Sequence, residues 1–160
     1  MTPRGGAVED AFKHVLVASD GSPLADKAIA LALQDAGNAR ITALIVAHDY
    51  GLAEYVRAAI GHRPDAQELR EEIAAGARRD LEEALARAGR GDPRIAQIER
   101  RVIISERSPS HEIVDTAGHG PCDLIVMASH GLGGGKMAPF LGSQALAVLS
   151  AAKVPVLVAR

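Results

Sequence analysis

Apolar residues fall in largely consecutive runs at 14–19, 40–47, 123–128 and 154–158, where a strand with one wet face would alternate, and 97–105 holds a further strand around Val102-Ile103-Ile104. Consecutive burial is the pattern of parallel strands covered by helices on both sides. Between the runs the period becomes helical. Ser22-Pro23 sets an N-cap hydroxyl before a proline at the first helical position, opening a helix over 24–36 that Gly37 stops. Ser108-Pro109 repeats that opening for a helix to about Ala117. Asp65 and Glu68 make an aspartate form of the capping box. Leu69, Ile73, Ala77, Leu81, Leu85 and Ala88 then follow at helical spacing, with Glu71, Glu72, Arg78, Arg79, Glu82 and Glu83 on a solvated face. A last helix starts at Gly142-Ser143 and runs through the helix-favouring 144–149.

Five strands alternating with four helices predict an α/β fold, a five-stranded parallel sheet with helices on both faces. Such folds bind ligands beyond the carboxyl ends of the strands, where the strand order reverses. Residues 48–64 are irregular, with a helical candidate at 52–60 that either lies over the mouth of a site or is a plain connection.

Composition narrows the function classes. A chain of 160 residues buries a full core without a disulfide or metal staple, so 12–160 is read as one domain and the polar, aperiodic 1–11 as a flexible tail. The core must be aliphatic, because two Phe, two Tyr and no Trp are present. Scarce aromatic platforms and a net charge of −2 argue against a nucleic-acid surface. The single Cys122 has no disulfide partner in the chain and reads as a small core residue in a reducing compartment. No apolar run approaches the roughly 20 residues of a membrane span, and 1–10 lacks a signal peptide's apolar region, so a cytoplasmic protein without a membrane partner is expected.

The chemistry concentrates where the run ending at Ala128 breaks into Ser129-His130-Gly131-Leu132-Gly133-Gly134-Gly135-Lys136 and closes on Gly142-Ser143-Gln144. Unpaired N–H groups at a helix start, beside residues without a Cβ, wrap an anion such as a phosphate. The bland reading is a flexible connection with a solvated Lys136. Asp20 either faces such a ligand and the Mg2+ it brings, or it only serves its turn. Histidines at 14, 48, 62, 111, 119 and 130 show no HExxH spacing and no cysteine pair, so no metal site is expected. Without a GxSxG elbow, a full Walker lysine motif or a base beside Ser19 or Ser22, no catalytic residue is assigned and the chain does not read as an enzyme.

Together, residues 14–22, 123–131, Gly142-Ser143 and 154–158 resemble the universal stress protein family, from about Lys13 to Arg160. That resemblance implies a Rossmann-like fold of the adenine nucleotide alpha hydrolase type, with strand order 3-2-1-4-5. ATP-binding members carry Gly, two residues, Gly, nine residues, then Gly followed by Ser or Thr. Ala128 stands here at the first glycine, Gly131 matches the second, and ten residues separate it from Gly142-Ser143. The resemblance implies that Ala18 and Asp20 border the adenosine, with Val46 offering its backbone to adenine. It puts Gly131 and its neighbours His130, Gly134 and Lys136 toward the phosphates, which Gly142, Ser143 and Gln144 cap. It also implies a stress-response module that binds ATP, with accompanying Mg2+, without efficient hydrolysis. A nucleotide-free protein acting through partner contacts and a weak nucleotide hydrolase are the alternatives. Relatives pair through their last strand. The uncharged 154–158, at a sheet edge in the implied order, predicts a homodimer through Val154, Val156, Leu157 and Val158.

Overall fold

All six residues of β1 (His14–Ser19) are buried, and the sheet is built outward from it on both sides. The computed structural model describes residues 12–49, 66–131 and 141–160. The expectations for 1–11, the 52–60 helix, the Asp65 cap, Gly134 and Lys136 lie outside them. After β1 come α1 (Pro23–Asp35), β2 (Arg40–His48), α2 (Ala66–Gly89), a 3-10 turn (Pro93–Gln97) and β3 (Glu99–Ser105). The chain continues through α3 (Pro109–His119), β4 (Leu124–Ala128), α4 (Ser143–Ala151) and β5 (Val156–Ala159). The order is β3-β2-β1-β4-β5, as the family resemblance implies, with every pair parallel, as the apolar runs predict. Val15 pairs with Ile41 on one side and Leu124 on the other.

Side chains along β1 alternate between two cores, because successive Cβ atoms point to opposite faces of a strand. Val15 and Val17 pack with Ile29 and Leu33 of α1, Leu81 and Leu85 of α2 and Val126 of β4. Leu16 and Ala18 pack on the other face with Ile113 of α3, Val148 of α4 and Met127 of β4. Each fully buried aliphatic side chain contributes about 1.5–3 kcal/mol, so two aliphatic layers stand in for the missing aromatics.

Two identical dipeptides behave differently. Ser22 Oγ accepts the Ala25 N–H at 3.2 Å, the cap expected before α1. Ser108 makes no such cap. Its hydroxyl pairs with Ser110 Oγ at 3.0 Å and His111 Nδ1 at 2.9 Å, and the Ser110 N–H is taken instead by Gln144 Oε1 of α4 at 2.9 Å. β3 starts later than expected because Asp92-Pro93 opens a 3-10 turn, with the Asp92 carboxylate accepting the Arg94 N–H at 2.9 Å. β5 starts at Val156, after Pro155, which lacks an N–H for the ladder.

At the amino end of the sheet His14 is buried, its Nε2 2.7 Å from Thr42 Oγ1, while its Nδ1 has no partner among the described residues. Burial, with Arg40 adding to it, holds this imidazole below its ordinary pKa. Burial opposes ionisation of Asp123 too, but the N–H groups of Lys13 and His14 donate to that carboxylate at 2.8 and 3.0 Å, and its pKa falls below the ordinary value. Among the described residues no helix is long and apolar enough to cross a membrane.

Candidate functional site

At the carboxyl ends of β1 and β4, where the strand order reverses, the chain leaves a cleft of about 570 Å³. That volume lies within the range of small-molecule sites. The turn after β1 forms one wall. Gly21 has φ +79°, the left-handed region that a glycine enters without strain, and its N–H donates to Ser19 Oγ at 3.2 Å. The Ser22 N–H donates to Asp20 Oδ1 at 3.0 Å, which holds the carboxylate at the cleft wall.

The opposite wall is the end of β4. The Ser129 N–H donates to the Ala159 carbonyl at 2.8 Å, and buried Ser129 Oγ lies 3.0 Å from His130 Nδ1. Gly131 follows where a Cβ would lie 2.6 Å from Asp20 Oδ2, so any side chain there displaces the carboxylate. Gly142 donates its N–H to the Ser129 carbonyl at 2.8 Å, tying the start of α4 to the end of β4. This corrects one sequence expectation, because the Gly142 amide is spent on the protein. As the N-cap of α4, glycine has no side chain to bond the N–H groups of Ser143, Gln144 and Ala145, and intrahelical bonding begins with Leu146 N–H to the Gly142 carbonyl at 3.0 Å. Gly142 has φ −63°, open to any residue, but a Cβ would lie 3.1 Å from the Ser129 carbonyl oxygen and 3.4 Å from His130 Cα.

The remaining lining is apolar: Leu44 and Val46 from β2, Pro109 and Ile113 from α3, Ala18 and Met127. The cleft is therefore two-ended, aliphatic toward β2 and α3, and polar where Asp20, Ser129, His130 and the α4 start meet. Ala18, Asp20, Val46, Ala128, His130, Gly131, Gly142, Ser143 and Gln144, the candidates named from the sequence, all line this cleft; Gly134 and Lys136 lie outside the described residues. Sequence reasoning missed Ser19, Ala25, Leu44, Pro109, Ile113, Met127, Ser129 and Ala145. Ser129 sits inside the glycine-rich segment and was within reach. Pro109 and Ile113 carry no local signal, since α3 meets the cleft only through sheet order. No group of three or more His, Cys, Asp or Glu among the described residues could hold a metal ion.

A doubly wound parallel sheet with a two-ended cleft at its switch point defines an α/β domain of the kind that binds ligands beyond the carboxyl ends of its strands. The universal stress protein family model matches residues 11–160, and the chain belongs to that family. It is 35% identical over 150 residues to a universal stress protein of Thermus aquaticus, covering 93% of this chain and 99% of that one. It is 35% identical over 146 residues to universal stress protein Rv2005c of Mycobacterium tuberculosis, covering 91% of this chain but 45% of the relative. The chain thus spans less than half the length of that mycobacterial relative. Among solved structures, UspA of Lactobacillus plantarum superposes with a TM-score of 0.67 at 26% identity, over 92% of this chain and 97% of that one. The fold is also shared with a universal stress protein in complex with cAMP, with a TM-score of 0.56, 22% identity, and coverage of 94% of this chain and 98% of that one. The Archaeoglobus fulgidus universal stress protein in complex with dAMP gives a TM-score of 0.52 at 19% identity, with 94% and 99% coverage.

Proposed function

We propose that this domain is a stress-response module that binds an adenine nucleotide, ATP with accompanying Mg2+, without efficient hydrolysis. The observation that carries the reading is the division of the cleft. An apolar slot between Leu44, Val46, Ile113 and Met127 suits a flat base, and the polar end suits an anion. There the N–H groups of Ser143, Gln144 and Ala145 begin α4 on a glycine cap, and the helix dipole favours negative charge. Asp20 repels a bare phosphate, so it suits a ribose hydroxyl or a phosphate-bound Mg2+. Relatives solved with cAMP and dAMP support the nucleotide class. Gly134 and Lys136 complete the phosphate side in this proposal.

Binding without turnover is favoured because the polar groups are already engaged in holding the walls. Ser19 Oγ accepts from Gly21, Asp20 Oδ1 from Ser22, and Gln144 Oε1 from Ser110. Calorimetry with ATP and Mg2+, with assay of nucleotide released from denatured protein, tests the reading, and a turnover assay separates binding from hydrolysis. No heat at millimolar ATP and no co-purifying nucleotide would leave a nucleotide-free protein acting through partner contacts.

A second proposal, of a cytoplasmic homodimer, rests on the sheet edges. β3 carries Glu99, Arg100 and Arg101, with Arg100 paired to Glu82 at 2.9 Å. β5 offers Val156, Leu157 and Val158 without a charge, beside α4 with Leu146 57% and Leu149 39% exposed. Antiparallel pairing of residues 154–158 with a second copy removes that edge. Light scattering tests it: Val156→Asp lowers the mass, and a wild type monomeric at micromolar concentration refutes it.

A further inference from the structure

We infer that Arg87, on α2 and outside the cleft lining, is a positioning residue that orients Asp20 through a single peptide plane. The inference rests on the nucleotide reading for its consequence, while its structural part stands without a ligand. Arg87 Nε donates to Asp26 Oδ2 at 2.8 Å and Nη2 to Asp26 Oδ1 at 3.1 Å, a two-pronged grip on the first turn of α1. The same Nη2 donates to the Gly21 carbonyl at 2.9 Å. That carbonyl belongs to the Gly21–Ser22 peptide, whose N–H donates to Asp20 Oδ1 at 3.0 Å. A guanidinium, a peptide plane and a carboxylate thus form one series, in which each hydrogen bond polarises the next.

The geometry leaves that peptide little freedom. Gly21 lies at φ +79°, and a Cβ there would meet Asp80 Cβ of α2 at 3.3 Å, so α2 also packs against the turn. With Oδ1 held by Ser22, Asp20 Oδ2 is turned toward Gly131 across the cleft, 2.6 Å from where a Cβ on Gly131 would sit. The Gly21, Ser22 and Ala25 N–H groups of the turn bond to side chains two or three residues away. Arg87 reaches the same turn from 61 and 66 residues away. A lysine keeps the charge, but its single ammonium does not reproduce a planar fork spanning the Asp26 carboxylate and the Gly21 carbonyl.

The experiment has two arms. In the ligand-free protein, amide hydrogen exchange at Ser22 is compared between wild type, Arg87→Ala and Arg87→Lys. Exchange faster by about tenfold in both variants, with Leu16 and Val17 of β1 unchanged, is expected of a local opening. Unchanged Ser22 exchange overturns the inference. In the second arm, ATP·Mg2+ affinity is measured for wild type, Arg87→Ala, Asp20→Ala and the double variant. Arg87→Ala is expected to weaken binding about tenfold in the native background and less than about twofold once Asp20 is gone, the signature of action through that carboxylate. Equal losses in both backgrounds overturn positioning through Asp20. A wild type that binds no nucleotide while Ser22 exchange responds refutes the proposed function, and leaves the brace standing on the first arm.

Discussion

Gly142 is the most exposing test of the cleft, because a methyl group there meets backbone on two sides. Its N–H is 2.8 Å from the Ser129 carbonyl oxygen, and a Cβ on the same residue would be 3.1 Å from that oxygen and 3.4 Å from His130 Cα. Both contacts fall inside the roughly 3.5–4.0 Å at which heavy-atom pairs are most favourable. Backbone dihedrals add nothing, since φ is −63°. Alanine therefore needs a shift of a few tenths of an ångström, and valine adds two more methyls at the crowded junction. Overpacking of this kind costs about 1–3 kcal/mol, and lengthening the Gly142–Ser129 bond forfeits part of a further ~0.5–1.5 kcal/mol. The cheapest relief is for the α4 start to swing away from β4, which re-aims the Ser143, Gln144 and Ala145 N–H groups. Gly142→Val is thus expected to weaken ATP·Mg2+ binding by at least about tenfold, equivalent to 1.4 kcal/mol, and adenosine by much less. Calorimetry with both ligands reads the contrast, with urea unfolding to show that the variant is folded. A folded Gly142→Val that binds ATP with wild-type affinity would show that no anion docks on this helix start.

Three further outcomes follow from the same structure. Ala128→Gly removes a methyl from the cleft lining and restores the glycine of the ATP-binding pattern, so ATP affinity should hold or improve; a loss measured by calorimetry contradicts that placement. His14 has a folded pKa below its ordinary 6.5, so the unfolded chain binds the proton more readily; stability is present above that value and is lost as pH falls through it. Urea midpoints from pH 8 to pH 5 should show the decline, and His14→Gln should flatten the limb that begins near 6.5. Leu81, with 0% exposure on α2, leaves a cavity when truncated, and Leu81→Ala should cost about 2–5 kcal/mol in urea unfolding. A cost under about 1 kcal/mol would mean that α2 collapses onto the gap.

The sheet was legible in the sequence because burial on both faces forces consecutive apolar residues, and 14–19 and 124–128 carry that pattern without help from the rest of the chain. The Ser22 cap was legible for the same reason, since its bond to Ala25 is local. Ser108-Pro109 reads identically and does not cap: its hydroxyl pairs with the Ser110 and His111 side chains, while Gln144, 34 residues on from Ser110, takes the Ser110 N–H. That choice exists only once α3 and α4 stand side by side. The same division runs through the cleft. The glycine-rich segment suggests a ligand loop in sequence, and six of its candidate residues line the cleft together with Ala18, Asp20 and Val46. Folding alone decides that Asp20 faces Gly131, that Gly142 gives its amide to Ser129, and that Arg87 reaches back to the first turn. Local pattern determines which segments become strands and helices, because propensity and capping act over a few residues. Which side chains share a cleft depends on strand order and helix placement, and those are set by packing between residues that are far apart in the chain.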